Sequence, residues 1–326
     1  MSLFWAILLL PIGIALLVKG ADWLVDGAVD LAERLGMTPL IIGLTIVAMG
    51  TSAPEIATSI AAALKGTGDI AVGNVYGSNI ANLALVGGLC AAIRPIGVLP
   101  VALRRDIPLM LAAVLLLWPV LADTVISRPH AGLLLIVFAG ILSLMIVTER
   151  RRALADRKAL SELEERLEKT VGHIPKAVSR SIILIGLGLA ALAGGAHLTV
   201  LSASALGRAM GISDAVIGLT IVAIGTSLPE LATCLVASVK GHDDLSVGNL
   251  VGSNIFNTLL VPGAAGLVRP FEISSRLAGV DFWLMAGVSI IFAVLAFVQR
   301  RISRPAGLLL FIGYGGYLAY LFTLNS

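Results

Sequence analysis

Charge is what this 326-residue chain has least of: Asp, Glu, Lys and Arg together make up 13% of it, about half the ~25% usual in soluble domains. Hydrophobic residues make up 58%, and the mean hydropathy is +0.99. A single soluble core of this length could not hide so much apolar surface, so an ordinary globular domain is excluded. Cysteine is scarce as well. Cys90 and Cys234 both lie in apolar segments, and two such residues build neither a disulfide framework nor a zinc motif. The first eighteen residues lack a basic leader and a small-residue cleavage site, and are expected to be a retained first span rather than a signal peptide. No HExxH helix and no nucleophile–base dyad is found, which removes the basis for hydrolytic chemistry.

What fills the chain is a series of apolar runs bounded by charges or by Pro and Gly. Ten are expected to be membrane helices: 4–25, 39–63, 71–92, 107–122, 130–147, 181–203, 213–238, 246–267, 282–299 and 306–323, a span needing ~20 residues. The expected fold class is an all-α polytopic membrane protein of about ten transmembrane helices, with no room for a soluble domain. Loops 26–38, 93–106, 148–180, 239–245 and 300–305 carry seventeen Lys and Arg, and the opposite loops carry five. The positive-inside bias assigns the first set to the cytoplasm and both termini to the outside. The longest loop, 148–180, mixes charges of both signs and spaces Leu160, Leu163 and Leu167 along one helix face. It is expected to be a solvated helical linker.

The strongest feature is a duplication. Residues 36–82 align without a gap with 211–257 at a constant offset of 175, and 27 of the 47 positions are identical. IIGLTIVAMGTSAPEIAT answers VIGLTIVAIGTSLPELAT, and GNVYGSNIAN answers GNLVGSNIFN. The same offset pairs Gly20-Ala21 with Gly195-Ala196, Arg94-Pro95 with Arg269-Pro270, and Asp106 with Asp281. The expected organisation is a five-helix repeat over 1–147, a cytoplasmic linker over 148–180 and a second five-helix repeat over 181–326. Five is odd, so the second copy would enter the membrane the other way up. That is the inverted-repeat plan of secondary transporters, which hold substrate near the midplane where the repeats meet.

The repeated polar residues say what such a site would hold. Glu55 and Glu230 lie deep in apolar spans, where an ionised group costs ~2.5–3.5 kcal/mol even on the lenient insertion scale and so faces a partner or a wet cavity. On a helix Ala48, Thr51, Ser52 and Glu55 stack on one face, and Ala223, Thr226, Ser227 and Glu230 repeat the pattern. Pro54 and Pro229 have no N–H and would free the carbonyls of Gly50 and Gly225. Asn74, Ser78 and Asn82 form a second stripe that Asn249, Ser253 and Asn257 match. All of these are hard oxygen donors, which suit Ca²⁺ and equally Na⁺. Neither motif contains histidine or a thiolate set, which argues against zinc, copper or iron. Cys234 has Ser59 as its counterpart and is expected to be small-residue packing. Asp22, Asp26 and Asp30 are expected to be a solvated helix end, Asp69 and Asp244 to be N-caps, and Asp106 and Asp281 to begin helices.

GTSAPE at 50–55, GTSLPE at 225–230 and the two GSNIxN segments resemble the α-repeats of the cation/calcium exchanger superfamily, in particular a prokaryotic sodium/calcium exchanger without a regulatory domain. The resemblance implies a central ion cluster on the second, third, seventh and eighth helices, across which the first and sixth slide. Carried over by motif, Ca²⁺ would be held by Glu55, Glu230, Thr51, Thr226 and the carbonyls of Ala48 and Ala223. Ser52, Ser78, Ser227 and Ser253 would serve flanking Na⁺ sites, with Asn82 and Asn257 at the middle. Some sodium/calcium exchangers carry Asp where Asn257 stands. With Asn at both places the two Glu supply a formal charge of −2, which one Ca²⁺ balances.

The implied function is secondary active antiport of Ca²⁺ against Na⁺ by alternating access, with no enzymatic step. No cofactor beyond the transported ions, no nucleic acid and no obligate protein partner is implied, only the lipid bilayer of a prokaryotic cytoplasmic (inner) membrane. On the residues alone, a proton-coupled Ca²⁺ or Mn²⁺ antiporter and a cation channel stay open as alternatives.

Overall fold

The computed structural model describes residues 2–167, 178–211, 217, 221 and 223–325, with the backbone alone at 153–167, 223, 320 and 322–325. Its first part comprises α1 (Leu3–Leu35), α2 (Pro39–Ile42) running through a π-helical stretch Gly43–Val47 into α3 (Ala48–Thr51), and α4 (Ala53–Lys65). There follow α5 (Gly68–Ile80), a π stretch Ala81–Val86, α6 (Gly87–Ile93), β1 (Ile96–Gly97), a π stretch Ala102–Asp106 and α7 (Ile107–Leu121). Then come β2 (Val125–Ile126), α8 (Arg128–Leu167) and α9 (Val178–Ala209). The remainder is α10 (Ala223–Thr226), α11 (Leu228–Lys240), α12 (Asp243–Ile255), a π stretch Phe256–Leu260 and α13 (Val261–Val268). It ends with β3 (Phe271–Glu272), a π stretch Leu277–Asp281, α14 (Phe282–Gln299), β4 (Arg301–Ile302) and α15 (Arg304–Asn325).

Among the described residues six helical stretches are long and apolar enough to cross a membrane, and α2 to α4 make a seventh if their 44° bend is taken within one span. The expected fourth span is the fifteen-residue α7, short of a full crossing by itself. Ile136, Val298 and Ile312 are 72%, 75% and 69% exposed. Apolar exposure on that scale is what a lipid-facing surface requires and a water-facing one avoids. Residues 168–177 of the expected linker, and 212–216, 218–220 and 222 at the start of the seventh span and second repeat, lie outside the described residues.

α1 and α8 run well past their expected ends, and along the extra turns of α1 charge is paired. α1 continues to Leu35, where Gly36 takes φ 63° and its N–H returns to Ala32 and Glu33. Over those extra turns Lys19 pairs with Asp22 at 2.9 Å and Arg34 with Asp30 at 2.7 Å. Lys240 at the end of α11 reaches both Asp22 and Asp26, at 2.5 and 2.6 Å. The acidic stripe is therefore an ion-paired face rather than a bare solvated end. Likewise α8 passes the expected boundary at 147 and stays helical to Leu167.

α1 and α9 form one antiparallel pair whose seam is written in the sequence. Ala6, Gly13, Gly20 and Gly27 recur every seven residues in α1, and Ser181, Gly188, Gly195 and Ser202 do so in α9; all are buried. A Cβ on Gly13 would lie 3.0 Å from the carbonyl of Gly195, on Gly20 2.9 Å from that of Gly188, and on Gly27 2.9 Å from that of Ser181. Numbers rise on one helix as they fall on the other, so the chains run in opposite directions. Small residues let the backbones touch, and seven-residue spacing is what a left-handed helix pair keeps in register. The stretch 40–48 instead runs parallel to α12, Gly248 meeting Leu40 and Gly252 meeting Leu44.

The two halves are tied by reciprocal contacts at the helix ends. β1 pairs antiparallel with β4, and β2 with β3, each ladder joining one half to the other. Arg94 donates to the carbonyl of Ser238 at the end of α11, and its counterpart Arg269 donates to that of Leu64 at the end of α4. The repeated Arg-Pro pairs thus cap the opposite half's helices, where a cation suits the exposed carbonyls. Asp69 accepts from the backbone N–H of Ser274 at 2.6 Å, and Asp243 from that of Gly97 at 2.9 Å. Neither Asp69 nor Asp244 is the N-cap residue it was expected to be. Thr67 and His242 occupy those positions without a side-chain cap bond, Asp69 being drawn off by Ser274 and Asp244 by the N–H of Leu245.

The seam makes a sharp prediction. Gly195→Leu should overpack α1 against α9 and lower stability by about 1–3 kcal/mol. Gly194→Leu, on the adjacent position where a Cβ meets nothing within 4 Å, should not. Thermal unfolding of the two purified variants in one detergent decides it, and equal midpoints would reject the seam.

Candidate functional site

The site is built on two broken helices. α3 ends at Thr51, Ser52 takes φ −84° and ψ 5°, and α4 restarts at Ala53. In the second half α10 ends at Thr226, Ser227 takes φ −90° and ψ 6°, and α11 restarts at Leu228. The sequence suggested one continuous helix loosened from inside by Pro54 and by Pro229. Instead each proline sits in the first turn of a new helix, where its missing N–H has no partner to lose. One consequence is electrostatic. Glu55 and Glu230 fall in the first turns of α4 and α11, at the end of the helix dipole that favours negative charge. Both are fully buried.

The two halves hold each other's carboxylates. The Ser52 hydroxyl donates to Glu230 Oε1 at 3.2 Å, with Thr51 also beside that carboxylate. Thr226 of the second half stands beside Glu55, and Ser78 of α5 donates to Glu55 Oε1 at 3.3 Å. Thr51 Oγ1 lies 3.1 Å from the carbonyl of Val47 and 3.4 Å from that of Ala48.

Around them the remaining expected residues are buried but unmatched. Asn82 and Asn257 sit within the π stretches Ala81–Val86 and Phe256–Leu260, both fully buried. Wide turns of this kind are commonly kept where a helix carries function. Both amide atoms of each Asn, Oε2 of both Glu, and the hydroxyls of Ser227 and Ser253 have no hydrogen-bond partner among the described residues. So Ser253 does not repeat for Glu230 what Ser78 does for Glu55. Of Ala223, opposite number to the buried Ala48, only the backbone is described.

A second ring of contacts was not expected. Ser59 donates to the carbonyl of Ala71 at 3.0 Å and accepts from Asn74 Nδ2 at 2.9 Å. Cys234 takes the same place in the second half: its thiol donates to the carbonyl of Ser246 at 3.6 Å and accepts from Asn249 Nδ2 at 3.3 Å. Cys234 is thus a hydrogen-bonding group and not simply packing. The signal was present in the repeat, which exchanges a hydroxyl for a thiol at that position.

Buried polar atoms are ordinarily paired, and these eight unpaired atoms, drawn from both halves, are bonding capacity left for something that supplies the missing partner. Two carboxylates with neutral hydroxyl, amide and carbonyl oxygens suit a hard cation. Among the described residues no group of three or more His, Cys, Asp or Glu could hold a metal.

The chain is similar to known proteins over nearly its whole length. The family model described as sodium/calcium exchanger protein matches residues 5–147 and 180–323. The inner membrane protein YrbG of Escherichia coli (strain K12) is 40% identical over 322 residues, covering 97% of this chain and 97% of the relative. The sodium/calcium exchanger MaX1 of Methanosarcina acetivorans is 31% identical over 342 residues, covering 97% of this chain and 98% of the relative. Among solved structures, the sodium-calcium exchanger NCX_Mj soaked with zero Na⁺ and Ca²⁺ superimposes with a TM-score of 0.82 at 29% identity, covering 98% of this chain and 100% of that one. With both halves matched and the duplicated Glu cluster at their junction, the chain belongs to the sodium/calcium exchanger family of membrane antiporters.

Proposed function

We propose that this antiporter exchanges Ca²⁺ for Na⁺ by alternating access, binding the ions at Glu55 and Glu230 between its two halves. The observation that carries the reading is the pair of buried carboxylates held across the halves, each with Oε2 unpaired. Thr51, Thr226 and the carbonyls of Ala48 and Ala223 complete the Ca²⁺ ligands. Ser52, Ser78, Ser227 and Ser253 provide flanking Na⁺ sites around Asn82 and Asn257. A charge of −2 is balanced by one Ca²⁺ and by two Na⁺ alike, so either load leaves the cluster neutral. A cation this deep gains from low dielectric surroundings only if its countercharge is present at the same depth.

The reading also gives the chain its topology. Two five-helix repeats, 1–147 and 181–326, lie inverted about the site and are joined by 148–180, with both termini outside a prokaryotic inner membrane. Antiparallel α1 and α9 support the inversion, as does the parallel run of 40–48 beside α12, which is equivalent to α5 of the first half. The match to an exchanger soaked in Na⁺ and Sr²⁺ supports an alkaline-earth substrate.

Two experiments test these statements. Sealed proteoliposomes loaded with Na⁺ and diluted into Na⁺-free buffer at clamped pH should take up Ca²⁺. Glu55→Gln and Glu230→Gln should each cut that uptake at least about a hundredfold, beyond the ten- to hundredfold cost of losing a mere outer-shell contact. Uptake that ignores Na⁺ and follows an imposed pH gradient would reassign the counter-ion to H⁺. For topology, Asp123→Cys should react with a membrane-impermeant maleimide in intact cells, and Arg151→Cys only after permeabilisation. Both positions are exposed, and Cys90 and Cys234 are fully buried. The opposite labelling pattern would invert the assignment.

A further inference from the structure

The ring outside the carboxylates has a direction. Beginning at the backbone, the Cys234 S–H donates to the carbonyl of Ser246, which leaves a sulfur lone pair for Asn249 Nδ2 at 3.3 Å. The Ser246 hydroxyl in turn donates to the carbonyl of Cys234 at 3.3 Å, closing α11 and α12 against each other around the thiol. With Nδ2 committed to sulfur, Asn249 presents Oδ1 to the other half, and Thr51 Oγ1 lies 3.2 Å from it. Asn249, Cys234 and Ser246 are fully buried and Thr51 is 1% exposed, so bulk water does not reach these groups.

Thr51 has one hydroxyl proton and three acceptors within 3.4 Å, the carbonyls of Val47 and Ala48 and Asn249 Oδ1, with the Glu230 carboxylate nearby. Where that proton goes decides what the oxygen can do. If it points at a carboxylate or a helix carbonyl, it occupies an oxygen that a cation would use. If it points at Asn249, the hydroxyl turns its lone pairs to the cluster, and the Ala48 carbonyl is left unengaged. A cation is bound by lone pairs, so the second arrangement is the competent one.

We propose that Cys234 and Asn249 are positioning residues that draw the Thr51 hydroxyl proton away from the cluster and so present its oxygen to the bound cation. The inference rests on the reading of this cluster as the Ca²⁺ site, and it adds a group outside the ligands that sets affinity. The first half carries the same device in shorter bonds, Asn74 to Ser59 at 2.9 Å and Ser59 to Ala71 at 3.0 Å. There Asn74 Nδ2 also engages the carbonyl of Glu55 at 3.1 Å. The sulfur version in the second half is longer and weaker, sulfur being a weak donor and acceptor. It is the half whose amide is easier to disturb, and the half that reaches across to Thr51.

Equilibrium ⁴⁵Ca²⁺ binding to the purified full-length protein in detergent, with transport run in parallel, tests this. Asn249→Ala and Cys234→Ala should weaken Ca²⁺ binding about tenfold, as loss of an outer-shell partner typically does, and raise the half-saturating Ca²⁺ for uptake while leaving the maximal rate close to wild type. Cys234→Ser keeps both hydrogen bonds and should restore binding to wild-type strength or better. Unchanged binding in Asn249→Ala and Cys234→Ala would overturn the proposal. So would a loss in Cys234→Ser as large as in Cys234→Ala, since packing and not hydrogen bonding would then be at work. If Asn249→Ala does not fold, the two Cys234 variants carry the test. Absence of Ca²⁺ binding by the wild type would overturn the cation-site reading itself and the relay with it, an outcome distinct from normal wild-type binding with silent variants.

Discussion

Two fully buried carboxylates, with no lysine or arginine paired to either among the described residues, are the constraint from which the rest of this structure follows. Both are out of bulk water, and an ionised group so placed must find compensation from its surroundings. The protein offers only partial charges: the first turns of α4 and α11, hydroxyls from both halves, and amides rather than acids at 82 and 257. A lysine at the centre would balance the charge permanently and leave no place for a cation. Partial compensation keeps the fold intact and the site in need of an ion.

That requirement accounts for the irregular backbone. A carboxylate can sit at a helix N-terminus in mid-membrane only if a helix begins there, and a helix begins there only if another has just ended. Pro54 and Pro229 arrange this, with Ser52 and Ser227 holding the break. Loose backbone at such depth is tolerated where it is enclosed by protein or lines a polar site. Here Ser52 of the first break answers Glu230 of the other half, and Thr226 of the second break stands beside Glu55. Neither half alone contains a satisfied site.

Much of this was legible in the residues. Twenty-seven identities at one offset located both the duplication and its polar core, because a buried carboxylate in an apolar run is too costly to recur by accident. Proline in GTSAPE announced a disturbed helix. What it did not announce was on which side of Ser52 the new helix starts, since that depends on the neighbours that cover the break. The contacts binding the halves were less visible. Arg94 and Arg269 read only as positive charges in loops until each was found on a carbonyl of the other half. Asp69 carries an N-cap's local pattern, yet a backbone N–H two hundred residues away claims it. The role of Cys234 was hidden because sulfur in an apolar segment reads as packing. Only its pairing with Ser59 carried the other meaning.

The two short ladders bear on how the chain comes to be built. β1 is made early and its partner β4 lies at 301–302, within the last twenty-six residues of the chain. β2 likewise waits for β3 at 271–272. Contacts so distant along a sequence form late and are slow to find one another. Neither ladder can therefore form until the second half has been made, β2 waiting for the residues just before α14 and β1 for those just after it. Until then each strand of the first half presents an unpaired edge. The closing of the first half at both of these edges is thus left to the second.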